Sequence, residues 1–314
     1  LNFMPSVSQA LSRPIPGEAI QGVLVLGAAA ASLLSATDIA HGTVLGWIAE
    51  LAVSFLPLAL VVSLLTFRTP RRTFLATVGT LLGLCLFASP FSLPAASGKN
   101  ASVTIVSANL AMRAADPALF EQWAKDADFV VLLELTPSVA REIEALERWP
   151  HKVLVPEDSP FGIGLLSRFP LAVQPTPEDS IQPEVIRAVA TTANDAISLV
   201  AIHPMPPISP AAHAQRDALI EREAGWLKTQ PRGLMVGDLN TTQWGSALHK
   251  AAQMGLRRAH TWSATWPTPL THVSLGIGID HILGNAEDWC VRDADVGTST
   301  GSDHAPIRAT LEDC

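Results

Sequence analysis

The sequence predicts an α/β (α+β) domain of two mixed β-sheets with helices outside them, preceded by three transmembrane helices. From about residue 101 onward, short apolar runs alternate with helical stretches. Several neighbouring runs have no helix between them, which indicates partly antiparallel sheets that pack face to face. The first ninety residues are instead strongly apolar. We therefore divide the chain into a membrane anchor at 1–90, a linker at 91–100 and a folded domain at 101–314.

The predicted membrane anchor rests on three nearly uncharged apolar stretches, at 20–36, 44–67 and 73–89. About 20 apolar residues cross a bilayer, and a signal peptide would explain one such stretch but not three. Glu50 interrupts the second stretch, so this span either begins later or places Glu50 in a helix interface. The mean hydropathy of +0.28 is also high for an ordinary soluble enzyme.

The placement of arginines predicts the orientation of this anchor. Arg13 precedes the first stretch, and Arg68, Arg71 and Arg72 separate the second from the third. The opposite loop has no Lys or Arg, so the positive-inside rule places these arginines in the cytoplasm. We therefore expect a multi-pass protein of the inner (plasma) membrane. Its anchor contacts the lipid bilayer, and its folded domain lies outside the cytoplasm.

Polar side chains follow the ends of four predicted strands in the folded domain. The apolar runs at 103–108, 129–133, 197–202 and 234–236 lead to Asn109, Glu134, His203 and the pair Asp238 and Asn240. If these strands share a direction, the five side chains collect along one rim of a sheet, where functional sites are usually built.

The remaining elements follow the same patterns. Runs at 151–155, 163–166, 185–191, 291–296 and 305–311 have the length and apolar content of strands. A helix is predicted at 117–125, where Asp116 is a suitable cap and a proline takes the first helical position. The stretch at 210–229 has charges between its spaced apolar residues, which predicts an exposed amphipathic helix.

Acids and amides at strand ends suit a hard divalent cation. Mg²⁺ binds through one or two carboxylates and keeps several waters, and a bound ion can activate water. Glu134 and Asp303 are the candidate carboxylate ligands, and Asn109 could supply a neutral oxygen. The alternative for each is a solvated strand end, but an unpaired buried charge is costly unless it has a partner.

Seven short segments, in order along the chain, resemble the endonuclease/exonuclease/phosphatase superfamily, whose fold is that of deoxyribonuclease I and the exonuclease III type of repair enzymes. They lie at 107–110, 133–134, 164–170, 201–204, 237–240, 278–283 and 302–306. Each segment alone is a weak signal, but the ordered set is specific. The prolines after His203 resemble a bacterial membrane-associated branch. The resemblance implies a four-layer sandwich and a phosphoesterase that depends on Mg²⁺ or Mn²⁺.

The resemblance also suggests a division of roles. Asp238 would activate the attacking water, while His203, Asn240 and His304 would stabilise the charge that develops at phosphorus. Asp280, in the segment at 278–283, would hold His304 in place.

Three further residues are candidate substrate contacts. Arg168 and Arg187 could contact a phosphate, although a lone Arg is more often a solvated surface group. Trp266 could line the substrate groove or could pack within the domain.

Three hypotheses for the function stay open at this point. By resemblance the first is a nuclease, and the main rival is a membrane phospholipid or headgroup phosphodiesterase. A non-catalytic membrane-anchored scaffold is the third. Residues 99–314 carry 17 basic and 26 acidic side chains, a net charge of −9. This sign argues against bulk nucleic acid as the phosphodiester substrate, because nucleic-acid affinity comes from neutralising phosphates.

Cys290 and Cys314 flank the last two predicted strands. In an antiparallel pair they would lie nearly opposite each other. A disulfide and two free thiols are both compatible with this spacing.

Overall fold

Two six-stranded β-sheets packed face to face form the centre of the computed structural model. The described residues are 17–37, 39–65, 71–87, 92–98, 102–113, 121–176, 185–193, 195–259, 264–268, 276–298 and 300–314. Residues 117–120 of the helix predicted at 117–125 lie outside them, and residues 121–123 are helical.

The helices and strands are as follows in chain order. The helices are α1 (Gly17–Thr37), α2 (Val44–Ser54), α3 (Leu56–Leu65), α4 (Arg71–Phe87), α5 (Pro137–Glu144), α6 (Pro210–Leu227) and α7 (Ser246–Gln253). The strands are β1 (Ser102–Asn109), β2 (Phe129–Leu133), β3 (His151–Val155), β4 (Ile163–Ser167), β5 (Leu171–Gln174), β6 (Val185–Thr191), β7 (Ala196–Ile202), β8 (Gly233–Asp238), β9 (Leu256–Arg258), β10 (Asp280–Asn285), β11 (Trp289–Val296) and β12 (Ile307–Asp313).

Both sheets are mixed, as the sequence predicts. The first has the strand order β11-β12-β1-β2-β4-β3 and the second β5-β6-β7-β8-β10-β9. Within them, β1 and β2 are parallel, as are β7 and β8. The neighbours β12 and β10 run antiparallel to β1 and β8. The ends of β1, β2, β7 and β8 therefore share one edge of the sandwich with the starts of β10 and β12.

Apolar side chains fill three layers around the sheets. The largest cluster lies between the two sheets and includes Ile105, Phe129 and Trp289, which are fully buried. A second cluster, with Trp149, covers the outer face of the first sheet. A third lies on the outer face of the second sheet, under α6 and α7. The order of helices, sheet, sheet and helices confirms the predicted sandwich, because each sheet must bury both of its apolar faces.

The prediction of three membrane spans is wrong for the second and third stretches. Among the described residues, one helix, Ala19–Thr37, is long and apolar enough to cross a membrane. The second stretch is broken at Phe55 into α2 and α3, which have 11 and 10 residues. The third forms α4, a 17-residue helix that begins with Arg71. The multi-pass topology is therefore not supported. The length and composition of α1 are those that a membrane anchor, a signal sequence and the core helix of a soluble protein share.

Glu50 gives the physical reason for the correction at the second stretch. Its carboxylate is 2% exposed and is paired with Arg216 of α6, with 3.0 Å between Oε1 and Nη2. A helix that buries an acid against an arginine of the folded domain packs on that domain. The same pair corrects the prediction for 210–229. Helix α6 is not simply an exposed amphipathic helix, because Arg216, Asp217 and Glu223 are all buried.

The described part of the predicted linker, residues 92–98, is bonded to the edges of both sheets. The backbone of Leu93 donates to Arg258 of β9, and that of Ala96 donates to Val291 of β11. Leu93 also joins the core between the sheets. This segment is therefore part of the domain packing.

Cys290 and Cys314 form a disulfide, with 5.0 Å between their Cα atoms. The two residues are 24 positions apart, and closing a loop of this length stabilises a fold by about 3 kcal/mol in the chain-entropy account. We expect the double variant Cys290→Ser/Cys314→Ser to lose about that much free energy of unfolding in urea. Dithiothreitol should destabilise the natural sequence and leave the variant unchanged. Equal urea midpoints for the oxidised natural protein and the variant would contradict this expectation.

Candidate functional site

The predicted site residues meet at one edge of the sandwich, where the two sheets face each other. Asn109 ends β1, and Glu134 follows β2. His203 follows β7, and Asp238 ends β8. Asp280 begins β10 and is the direct register partner of Asp238.

Asp238 lies at the centre of this group. Its Oδ2 is 3.5 Å from Nε2 of His203, 3.7 Å from Nε2 of His304 and 3.4 Å from Nδ2 of Asn109. Its Oδ1 accepts from the backbone N–H of Asn240 at 2.9 Å. The carboxylate is therefore held from several sides and is only 2% exposed.

Glycine at 237 makes the contact between the two strands possible. A Cβ atom at this position would lie 1.9 Å from the backbone oxygen of Ile202. Only glycine allows β8 to come this close to the end of β7. The close approach puts Asp238 beside His203, the residue after Ile202.

His304 is oriented by Asp280. Nδ1 of His304 and Oδ2 of Asp280 are 3.0 Å apart, which leaves Nε2 facing Asp238. His203 is oriented in a similar way, with its Nδ1 3.0 Å from the backbone oxygen of Pro160. In both histidines the second ring nitrogen is turned toward the same carboxylate, an arrangement suited to proton transfer.

The charges at the site shift the pKa values of these groups. Burial opposes protonation of His203, but the hydrogen bond and charge of Asp238 raise its pKa above the ordinary value. Burial also opposes protonation of His304, yet Asp280 and Asp238 raise its pKa to about 10. Burial disfavours the charged form of Asp238, but the two histidines hold its pKa below the usual range. At neutral pH the site thus combines an ionised Asp238 with a protonated His304.

Glu134 and Asn109 form a second pair next to this network. Nδ2 of Asn109 donates to Oε1 of Glu134 at 3.0 Å, and Asn109 is buried. Glu134 has a φ of 55°, in the left-handed region that most side chains avoid. The residue after it is fixed by a backbone bond from Leu135 to Gly162. Strained backbone of this kind is concentrated at functional sites.

Asp303 lies on the side of His304, with its carboxylate accepting from Nε1 of Trp266 at 2.9 Å. The ring of Trp266 is 6.4 Å from that of His304, between centroids. Trp266 lines the cavity at the site.

Asp238, Asp280 and His304 also offer ligand atoms within 4.8 Å of one another. All three residues are buried. Since Asp280 and His304 are hydrogen-bonded to each other, this set is already satisfied internally. The predicted ligand Asn109 contacts both Asp238 and Glu134 through its Nδ2.

The two predicted arginine contacts are corrected by the structure. Arg187 lies on the outer face of the second sheet and forms a two-pronged pair with Glu223 of α6, at 2.7 and 3.0 Å. Arg168 is paired with Asp128, which precedes β2, whereas Glu134 follows that strand. Arg168 is thus at the opposite edge of the sheet. An arginine side chain pairs with a carboxylate that the tertiary structure brings close to it, and a local sequence pattern does not predict which carboxylate that is.

A cavity of about 500 Å³ opens onto these groups. Its polar lining comes from Ser54, Glu134, His203, Asp238, Asn240, Thr241 and His304. Apart from Trp266, its apolar lining was not predicted from the sequence. Part of that lining comes from helix α2, whose sequence had been assigned to a membrane span. The one available signal was Glu50, an acid that an apolar span would not carry without a partner.

Comparison with known proteins agrees with this geometry. The sequence profile of the Endonuclease/Exonuclease/phosphatase family matches residues 106–304. A humanized TDP2 from D. rerio is similar in structure, with a TM-score of 0.53, 16% identity, and coverage of 67% of this chain and 99% of that chain. The 3′ phosphatase NExo from Neisseria, bound to a product DNA hairpin, has a TM-score of 0.51 at 18% identity, covering 66% and 98% of the two chains.

A third similar structure is beta toxin from Staphylococcus aureus, with a TM-score of 0.51, 14% identity, and coverage of 66% of this chain and 99% of that chain. At these identities the structural likeness concerns the fold alone. No curated protein sequence matches the chain.

Proposed function

The chain belongs to the endonuclease/exonuclease/phosphatase family, and we propose that it hydrolyses phosphodiester bonds with the help of a divalent metal ion. The observation that carries this proposal is the buried network in which both His203 and His304 turn a ring nitrogen toward Asp238. A scaffold or binding module would have no use for this arrangement, since burying three ionisable groups together is costly.

The residues next to this network suit a hard divalent cation. Glu134 offers a carboxylate at the rim of the cavity, and Asn109 lies beside it, with Nδ2 donating to Glu134 and Oδ1 accepting from the backbone N–H of Ala111 at 2.9 Å. As a ligand, Asn109 would turn its Oδ1 toward the ion. This oxygen-rich set, which has no thiol and no free imidazole, is the kind that Mg²⁺ or Mn²⁺ prefers. We propose Glu134 and Asn109, with Asp303, as the ligands. A bound ion there would neutralise charge on the phosphoryl oxygens.

The protein side chains supply the proton transfers in this proposal. A water oxygen attacks phosphorus in line, forming one P–O bond while the opposite ester P–O bond breaks. Asp238 accepts the proton lost by the water, and His203 returns a proton to the departing ester oxygen. Protonated His304, held by Asp280, stabilises the negative charge on the phosphoryl oxygens.

A metal-removal experiment tests the proposed function. The full chain is assayed on bis(p-nitrophenyl) phosphate with Mg²⁺, with Mn²⁺ and with EDTA. We expect turnover with either metal, loss of turnover in EDTA, and recovery when metal is added back. Glu134→Gln should raise the metal concentration needed for half-maximal activity, because one charged ligand is lost. The exposed acid variant Glu147→Gln is the matched control and should behave like the natural sequence. Turnover that EDTA leaves unchanged would contradict the proposal.

A further inference from the structure

We propose that helix α2 builds an apolar subsite of the active site, in which Leu51 and Phe55 bind a hydrocarbon substituent carried by the phosphodiester substrate. This inference rests on the proposed function and adds the chemical class of the substrate. It also gives the N-terminal helices a role in specificity that lies outside the region matched by the family profile.

Helix α2, together with Phe55 directly after it, shares one cavity with the reacting groups. Leu51, Ser54 and Phe55 line the same space of about 500 Å³ as His203 and Asp238. The rest of its apolar wall comes from three loops and consists of Pro160, Phe161, Met205, Pro206, Pro207, Ile208, Trp266, Ile277 and Ile279. A substrate whose scissile phosphate meets Asp238 therefore has an apolar surface beside it.

A buried ion pair holds α2 in this position. Oε1 of Glu50 accepts from Arg216 at 3.0 Å and from Thr241 at 2.7 Å, and Oε2 accepts from the backbone of Ser246 at 3.2 Å. A Cβ atom at Gly245 would lie 2.4 Å from Oε1 of Glu50. The absence of a side chain at this position therefore makes room for the carboxylate. The α2 wall is thus preorganised.

Side chains of α2 are hydrogen-bonded to the loops that follow His203 and Asp238. Nε1 of Trp47 donates to the backbone oxygen of Pro207 at 2.7 Å, in the loop that follows His203. The hydroxyl of Ser54 is 3.3 Å from the hydroxyl of Thr242, and Thr242 lies in the loop that follows Asp238. Both loops therefore depend on α2 for their position.

A second apolar groove adjoins the active-site cavity at Phe55. This side chain also lines a second apolar groove of about 370 Å³, which is bounded by α1, α2 and α3. Val23 and Leu24 of α1 form the far side of that groove, and Val23 is 72% exposed. Since α1 is the described helix that could enter a membrane, apolar surface extends from that helix to the active-site cavity. An acyl or alkyl chain of a lipid is the occupant that fits this surface.

Charge favours the same occupant over a polynucleotide. Of the described residues that line the active-site cavity, none is Lys or Arg. A nucleic-acid groove needs such side chains along the phosphate backbone. The cavity instead surrounds a single phosphate position with apolar side chains, which suits a lipid phosphodiester.

A substrate series tests the inference without any variant. The full chain, loaded with Mg²⁺, is assayed on p-nitrophenyl phosphodiesters whose second ester group is methyl, butyl or octyl, each below its aggregation concentration. We expect kcat/KM to rise about two- to fourfold for each added methylene until the subsite is filled. A single-stranded oligonucleotide, assayed in parallel, should have a lower kcat/KM than the octyl ester.

Variants on α2 then locate the subsite. For Leu51→Ser and Phe55→Ser, the ratio of kcat/KM for the octyl ester to kcat/KM for the methyl ester should fall toward one, because the apolar contact that rewards a longer chain is lost. Ile48→Ser is the matched control, because Ile48 is on the same helix, 51% exposed and outside the cavity lining. It should keep the full dependence on chain length.

The outcomes separate this inference from the proposed function. If the natural protein cleaves all three esters with equal kcat/KM, the inference is overturned while the proposed function stands. Faster cleavage of the oligonucleotide than of the octyl ester also overturns it and points to nucleic acid. If no ester is cleaved by the folded, metal-loaded protein, the proposed function itself fails.

Discussion

Replacing Asp238 with Asn should lower kcat/KM for phosphodiester hydrolysis by about 10²- to 10⁴-fold, the range expected when a proton-transfer group is lost. The carboxylate is the shared partner of His203 and His304, so its loss removes the proposed acceptor for the proton of water. It also removes a negative charge that raises the pKa of both histidines. The isosteric amide keeps the side-chain volume, so the packing of the rim should survive.

The measurement is a steady-state assay on bis(p-nitrophenyl) phosphate, combined with thermal unfolding of the same samples. Asp126→Asn makes the same chemical change at an exposed position and should keep full activity. If Asp238→Asn retained activity within tenfold of the natural protein, Asp238 would not be the water-activating group. If Asp238→Asn is unfolded at the assay temperature, the assay is repeated below its melting temperature. Only a loss of activity in the folded variant supports the role of Asp238.

Replacing Arg216 with Met should lower the free energy of unfolding by about 3–5 kcal/mol, because it leaves buried carboxylates without their cation. The guanidinium is fully buried and lies 3.0 Å from Glu50 and 2.6 Å from Asp217. Its Nη1 also donates to the backbone oxygen of Asn240 at 2.8 Å. We therefore expect the variant to lose both the docking of α2 and part of the catalytic activity.

Urea unfolding measures this effect, and the chain provides a matched control. Arg168→Met removes the same side chain from an exposed pair, and exposed pairs contribute about 0–1 kcal/mol. Adding Glu50→Gln to Arg216→Met should recover part of the lost stability, since one of the unpaired charges is then removed. Equal destabilisation by the two arginine variants would show that the buried cluster does not hold α2 in place.

Much of the fold could be predicted from local sequence patterns. The β-strands at 129–133, 151–155 and 185–191 were predicted with the bounds that the structure has. Each is a short apolar run between turn residues, and such a run has few stable alternatives to a buried strand. The meeting of polar residues at one rim was predicted for the same reason, since it depends only on which strands share a direction.

The membrane anchor shows where this reasoning fails. A membrane span of 24 apolar residues can have the same composition as two short helices packed on a protein surface. Nothing in the local sequence at Phe55 predicts that the helix breaks there. What distinguishes them is the partner of Glu50, which lies 166 residues away in the sequence. The arginines were misassigned for a similar reason, because Arg187 and Glu223 are brought together only by the packing of α6 on the second sheet.

The sequence by itself determined most of the strands and the polar residues that end them, because these depend on short-range patterns of apolar and polar side chains. The strands at 171–174 and 256–258, and the order of the strands within each sheet, came only from the tertiary structure. It also supplied the resemblance that matches the family profile at 106–304. The tertiary structure alone decided which charges pair, that Cys290 and Cys314 are bonded, and that α2 forms a wall of the cavity. Each of these is a contact between distant parts of the chain. Such contacts follow from the packing of whole elements, and local patterns in the sequence do not determine that packing.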